Sequence, residues 1–192
     1  MKSNGIKALL ALTLAISLAT TGCSSQWISV ALADLPVLVQ MALNIATFTE
    51  TAQGKVISAA DQAAIQGISS EASKDLKLLQ TLYNEYKANP SDAGLQKINA
   101  AIGVVRQNLP ELLQAAHISD PALAQQVTAG VNLILTTVES FTELIPSSPS
   151  STSKAVNVHA QKVSKASAVP SPAELKMKWN VGVCGAEACK VR

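Results

Sequence analysis

Two cysteines near the end of the chain, Cys184 and Cys189, are the candidates for redox chemistry or metal binding. A redox pair of the thioredoxin kind has two residues between its cysteines and lies in a βαβ unit, whereas this pair has four and no such pattern around it. A metal site would need two further ligands. The nearest histidine, His159, lies in a distant Ser-rich stretch. The spacing therefore disfavours both redox chemistry and metal binding.

No other pattern of an enzyme or cofactor site occurs in the sequence. It contains no nucleophile elbow, Gly-rich phosphate loop or zinc-protease helix motif. Neither His117 nor His159 has a glutamate three residues before it, as di-iron helical bundles require. His117 falls at the predicted end of a helix, where its charged form would interact favourably with the helix dipole. We therefore expect a non-enzymatic protein with no catalytic residue, metal or cofactor.

A third cysteine, Cys23, ends an apolar N-terminal segment. Lys2 and Lys7 precede an apolar run over residues 8–19, which is too short to cross a membrane. The residues LATTGC follow at positions 18–23. This arrangement resembles the signal peptide and lipobox of bacterial lipoproteins. The resemblance covers residues 1–23 only and indicates a targeting class without naming a domain family.

The resemblance implies removal of residues 1–22 and acylation of the thiol and amine of Cys23, with palmitate among the attached chains. Three acyl chains would hold the protein stably on a membrane. Ser24 is typical of lipoproteins sorted to the outer membrane, so we expect a location in the cell envelope facing the periplasm. In an exported protein, the remaining pair, Cys184 and Cys189, is most simply a disulfide.

Charge and composition divide the chain into an acidic body and a basic tail. Residues 24–146 contain six basic and eleven acidic side chains, whereas residues 147–192 contain seven and two. The sequence is 48% hydrophobic but only 3% aromatic. This composition favours closely packed helices over a β-sandwich.

Four segments of the body carry the apolar periodicity of helices, over about 28–46, 58–89, 91–116 and 121–145. Short connections between the last three force antiparallel neighbours. The sequence therefore predicts an all-α fold, with an antiparallel four-helix bundle over residues 23–146. Capping residues are expected at Ser58, at Ser91 or Asp92, and at Asp120. Pro110 lies inside the third segment and predicts a kink there.

The first segment is apolar on more than one face, because Asp34 is its only charge between Trp27 and Phe48. We favour a buried core helix, although a helix lying on the membrane and an oligomer seam remain alternatives. Asp34 is followed by Pro36, and we expect Asp34 to cap a helix that starts near it.

The tail has two parts. Residues 147–170 are rich in Ser, Ala, Lys and Pro and predict a flexible linker. Residues 171–192 form a C-terminal segment in which two patterns overlap. Ser171 with Glu174 predicts a short capped helix, whereas the alternation around Met177 and Val183 predicts a strand. Trp179 is expected to pack on the bundle in either case.

These observations lead to two hypotheses on function. The first is a structural, scaffold or adaptor role at the membrane, with the basic tail contacting a protein or an anionic envelope component; nucleic acid is not expected, and homo-oligomers remain possible. The second is binding of a small apolar ligand or lipid within the bundle. Gly67, Gly103 and Gly130 lie inside helices, where a pocket or close helix approach would explain them equally well.

Overall fold

The computed structural model describes residues 24–51, 57–145 and 169–184, and within these ranges it contains five helices and no strand. The all-α prediction is confirmed. The C-terminal segment is helical over Pro172–Gly182, so the strand alternative around Met177 and Val183 is wrong. The helices are α1 (Ser24–Thr51), α2 (Ala59–Ala88), α3 (Asp92–Ala115), α4 (Pro121–Leu144) and α5 (Pro172–Gly182).

The first four helices form a closed ring of contacts. Each helix packs against the next one in the chain, and α4 returns to pack against α1. Near the start of α2, Asp61 accepts a hydrogen bond from Ser119 N–H, which follows the end of α3. Midway along the same pair, Asn108 donates to Asp75 across 3.0 Å. The direction of α3 is therefore opposite to that of α2.

The residues that directly precede α2, α3 and α4 cap the first turns of these helices. Ser58 Oγ accepts the backbone N–H of Asp61, Ser91 Oγ accepts that of Gly94, and Asp120 accepts those of Ala122 and Leu123. These caps satisfy amide groups that have no partner within a helix. Ser91, and not Asp92, is therefore the cap of α3. The single helix through Pro110 agrees with the sequence prediction, and the kink itself stays a prediction.

The beginning of α1 differs from the prediction. The helix begins at Ser24 and continues through both Asp34 and Pro36. Asp34 lies ten residues inside the helix and is 1% exposed, so the prediction that it caps the helix is wrong. The apolar surroundings of α1 carry the helix through proline, because burying its face stabilises it more than one absent hydrogen bond destabilises it.

The core follows the predicted stripes and joins all five helices. One face of α1 lies in the core, in agreement with the favoured interpretation of this segment as a core helix. The exposed positions on its outer face are uncharged: Ser29, Ala33, Pro36, Gln40 and Leu43. An aromatic cluster lies at one end: the ring of Trp27 is 5.4 Å from that of Tyr83, which is 6.2 Å from that of Phe141. The largest fully buried side chains are Tyr83, Phe141, Leu35, Leu38, Ile45, Ile65, Ile68, Leu76, Leu79, Ile98, Ile102 and Leu109.

Candidate functional site at the junction of α1 with α5

The fifth helix packs over the seam between α1 and α4. A capping box fixes its first turn: Ser171 Oγ accepts the N–H of Glu174, and Glu174 Oε2 accepts the N–H of Ser171 at 2.7 Å. Leu175, Trp179 and Val183, spaced four residues apart, turn one face of α5 into the core. The expected packing of Trp179 on the bundle is confirmed.

Gly130 of α4 provides the space for the indole ring of Trp179. A Cβ atom at this glycine would lie 3.0 Å from Trp179 Cζ3 and 3.6 Å from a side-chain carbon of Ile45 on α1. Close helix approach therefore explains this glycine. It does not explain Gly67 or Gly103, because both are exposed and a Cβ atom at either would meet nothing within 4 Å.

A groove of about 520 Å³ runs between α1 and α5. Its volume lies within the range of small-molecule sites. Most of its accessible lining is apolar, while Gln40 donates to Asn44 at 3.0 Å along one edge. Lys176 provides a positive charge, and no carboxylate lines the groove. The lining residues are Pro36, Val37, Gln40, Met41, Asn44, Lys176, Trp179 and Asn180.

Asp34 lies buried on α1 near the first turn of α5. Neither of its carboxylate oxygens has a hydrogen-bond partner among the described residues. Burial, together with the negative charge of Glu174, raises the pKa of Asp34 to about 6. A carboxylate without hydrogen bonds in an apolar setting is costly. This is the strongest departure from an ordinary helical core in the described part of the chain.

Three further buried polar groups have no hydrogen-bond partner among the described residues: Trp27 Nε1, Ser73 Oγ and the hydroxyl of Tyr83. Burial raises the pKa of the Tyr83 hydroxyl. By contrast, Asp61 has its pKa lowered, first of all by the hydrogen bond from the backbone of Ser119. The buried acid of α1 therefore has no hydrogen-bond donor among the described residues, while the buried acids of α2, Asp61 and Asp75, each have one.

Only one of the cysteines singled out from the sequence lies in the described part of the chain. Cys184 follows α5 and is buried. Cys23 and Cys189 lie outside the described residues, as do residues 1–22 and most of the linker. The disulfide of Cys184 with Cys189 and the acylation of Cys23 stay predictions. His117 is exposed just beyond α3, with a backbone φ of 42°.

The described residues contain no group of three His, Cys, Asp or Glu side chains that could hold a metal ion. One stretch of α1 in this part of the chain, Trp27–Ala46, is long and apolar enough to cross a membrane. Half of that stretch is buried inside the protein, and core helices of soluble proteins and signal sequences meet the same criterion.

Sequence reasoning identified Trp179 but assigned Asp34 to the wrong role and did not identify the groove. A signal for Asp34 was present, since it is the only charge between Trp27 and Phe48 and lies seven residues from both Trp27 and Met41. Comparisons with known proteins add no assignment: the chain matches no protein-family model, no curated protein sequence and no solved structure.

Proposed function

We propose that this chain is a bacterial lipoprotein, anchored through an acylated Cys23 in the outer membrane and facing the periplasm. Its body is an antiparallel four-helix bundle with a non-enzymatic scaffold or adaptor role. Cys184 and Cys189 form a disulfide that closes the C-terminal segment. The observation that carries the proposal is the position of Cys23 directly before α1, a helix whose side chains enter the core from Trp27 onward.

This position would couple the anchor rigidly to the body. Trp27 lies four residues after Cys23 in sequence and three after Ser24, where α1 begins. Its ring packs against Tyr83 and Tyr86 in the last turns of α2. No flexible spacer separates a lipid on Cys23 from the bundle. A helix of 28 residues spans roughly 42 Å. The body therefore holds its far end at a defined distance from the membrane, as a scaffold would.

The basic linker would start and finish toward the anchored end. Phe141, in the last turn of α4, contacts Tyr83, which contacts Trp27. The first turn of α5 lies near Asp34, in the first half of α1. Lys154, Lys162 and Lys165 lie between these two flanks in sequence. This arrangement supports a contact of the linker with an anionic component at the membrane or with a partner protein there.

Intact mass of the protein from the membrane fraction tests the anchor. We expect a chain that starts at Cys23 and carries three acyl chains, with Cys184 and Cys189 alkylated only after reduction. The matched control is Cys23→Ser, which we expect to lack the acyl mass and to leave the membrane. A soluble wild-type chain cut elsewhere would overturn the lipoprotein proposal. Thiols that alkylate without reduction would overturn the disulfide.

Neutralising the linker tests the adaptor role. Deleting residues 147–192 would also remove α5 and expose the seam that Trp179 covers, so substitution is the cleaner change. We expect a triple variant with Lys154, Lys162 and Lys165 changed to Gln to recover less partner after cross-linking than the wild type. The triple variant with the same residues changed to Arg should recover as much as the wild type. Equal recovery from both triple variants would exclude the charge of the linker as the contact.

The groove between α1 and α5 favours a second candidate function, the binding of a small apolar ligand. It differs from the interior site predicted from the sequence, because it lies on the outer side of α1. An apolar floor with one lysine and no acidic side chain suits an acyl chain that carries a carboxylate. Charge complementarity with Lys176 is the argument for the acidic group.

Titration with a long-chain fatty acid tests this second function. We expect tryptophan emission to change with saturation, and Lys176→Gln to weaken binding severalfold. Lys178→Gln is the matched control, because Lys178 is not part of the groove lining. Equal affinity of both variants, or no saturable change in the wild type, would contradict binding in the groove.

A further inference from the structure

Asp34 places a carboxyl group at a core position that favours an apolar side chain. The helix face that packs into the core includes Trp27, Asp34 and Met41 at seven-residue spacing, and all three are buried. An apolar side chain would suit the middle position, yet a carboxyl group with no hydrogen-bond donor occupies it. Ionisation there is unfavourable, because the carboxyl group is 1% exposed and accepts no hydrogen bond from the described residues.

The acidic neighbour of Asp34 lies on α5. Glu174 is held in place by the capping box with Ser171, and its negative charge disfavours ionisation of Asp34. Lys178, one turn farther along α5, acts on Glu174 and lowers its pKa after the larger contributions of the hydrogen bonds with Ser171. The electrostatic opposition to an ionised Asp34 thus comes from the helix that covers the seam.

The other two helices packed on α1 provide no compensating charge beside Asp34. The charged groups of α4 are Glu139 and Glu143, both exposed, and Glu139 pairs with Arg106 of α3 at 3.4 Å. On α2, Lys74 and Lys77 line a surface cleft with Leu43 and Ala46 of α1. Lys176 of α5 lines the groove beside Pro36 and Val37, and the charge that acts on the pKa of Asp34 is that of Glu174.

We propose that Asp34 makes the docking of α5 on α1 and α4 dependent on pH, with α5 held firmly while Asp34 is neutral and loosened once Asp34 ionises. An α5 that moves away lets water reach Asp34 and increases its distance from Glu174. Both changes favour the ionised form. Ionisation and release of α5 are therefore linked thermodynamically.

The direction of the pH dependence follows from the two states of Asp34. In the docked state its pKa is about 6, against an ordinary value of 3.8. The docked state therefore binds the proton more tightly, so docking is firmest at acid pH. It weakens progressively as the pH rises from about 4 to above 6. If undocking restored the ordinary pKa fully, the docking constant would fall on the order of 100-fold, which is the upper limit of the effect.

Release of α5 would have a defined structural consequence. Trp179 would leave Gly130, and the α1–α4 seam beside Ile45 would become accessible. The bundle itself would remain, because α2 and α3 make no substantial contact with α5. A rise in pH would thus free the C-terminal helix while the body stays folded.

Hydrogen exchange and NMR of the full chain between pH 4.5 and 7.5 test this proposal. We expect protection factors of the α5 amides to fall at least tenfold across this range, while those in the middle of α2 and α3 change less than twofold. The indole N–H signal of Trp179, assigned with Trp179→Phe, should titrate over the same range.

Three variants make the result specific. Asp34→Asn should abolish the pH dependence of α5. Glu174→Gln keeps a capping-box side chain but removes the charge, so it should move the transition to lower pH. Glu111→Gln, an exposed change on α3, is the matched control and should behave as the wild type. Protection of α5 that is the same at both pH limits, or that falls equally in wild type and Asp34→Asn, would overturn the proposal.

Discussion

The α2–α3 pair and the α1–α5 pair both bury acidic side chains, but these accept hydrogen bonds from described residues only in the α2–α3 pair. Between α2 and α3, Asp75 accepts a hydrogen bond from Asn108, and Asp61 accepts one from the backbone of Ser119. Asp34 of α1 has no donor, and its electrostatic neighbour on α5 is another acid. The α2–α3 pair is therefore expected to stay stable as the pH rises and to weaken only in acid, where Asp61, whose pKa is lowered, becomes protonated. The α1–α5 pair is expected to weaken as the pH rises.

The α1–α5 pair also has a different packing geometry. Long complementary stripes join α2 to α3, whereas α5 has 11 residues and packs through three main side chains. An isolated helix of this length is marginal in water. Its order therefore depends on docking, and changes at this junction should act locally. Four experiments with substituted proteins test how far the two pairs differ.

Trp179→Ala should have the largest effect. Truncating a buried tryptophan removes about 3–5 kcal/mol of packing, more than so short a helix can lose and stay docked. We expect α5 amides to exchange as in an unfolded segment while α2 and α3 keep their protection. Met177→Ala on the exposed face of α5 is the control, with unchanged exchange expected. Loss of protection throughout the bundle would show that α5 is part of one cooperative unit.

Asp34→Leu should stabilise the protein at neutral pH. The raised pKa of Asp34, about 6 against 3.8, corresponds to a cost of about 3 kcal/mol for the fully ionised group in the folded state. Urea unfolding at pH 7.5 should therefore show a gain of about 2–3 kcal/mol. The cost is absent below about pH 4, where Asp34 is protonated in both folded and unfolded chains, so the gain should largely disappear there. An equal gain at both pH values would contradict a titrating Asp34.

Asn108→Ala should make the α2–α3 pair resemble the α1–α5 pair, because a buried carboxylate would lose its hydrogen-bond donor. It removes the donor to Asp75 and leaves that buried carboxylate without this partner. We expect a loss of about 1–3 kcal/mol at pH 7 in urea unfolding. Asn108→Asp with Asp75→Asn, which exchanges donor and acceptor, should recover most of it. No recovery in the double variant would mean that packing, and not the hydrogen bond, causes the loss.

A pair of identical glycine substitutions should give the smallest effects and opposite signs. Gly103→Ala places a methyl group in open space on α3 and should stabilise the protein by about 0.5–1 kcal/mol. Gly130→Ala places one 3.0 Å from the indole of Trp179, so we expect a loss of about 1 kcal/mol or more. Thermal unfolding of both variants measures the difference. The same sign for both would show that Trp179 adjusts without cost.

Local chemistry made most of the helices predictable. The starting points of α2, α3 and α4 follow from Ser58, Ser91 and Asp120. Their side chains accept hydrogen bonds from backbone amides two or three residues later in the chain. Periodic apolar stripes needed only the geometry of one helix to be recognised. The helical state of residues 172–182 was left open because a capping signal and an alternating pattern overlap there.

The candidate site was harder to predict, because each of its parts joins segments far apart in the chain. Asp34 next to Pro36 has the local pattern of a helix start, and only burial against the other helices makes it an interior residue. Gly130 requires the ring of Trp179, 49 residues later, to explain it. The groove exists only because α5 lies beside α1.

The sequence by itself determined the all-helical class and the ends of most helices, since capping and periodicity act within a few residues. It also provided the arguments for export and for the anchor at Cys23, which the described residues do not reach. The tertiary structure decided which polar groups find partners. Asp61 finds a donor 58 residues away, whereas Asp34 finds none. The reason is physical: the pKa and the cost of a buried carboxyl group depend on the atoms packed around it, and tertiary packing alone sets those.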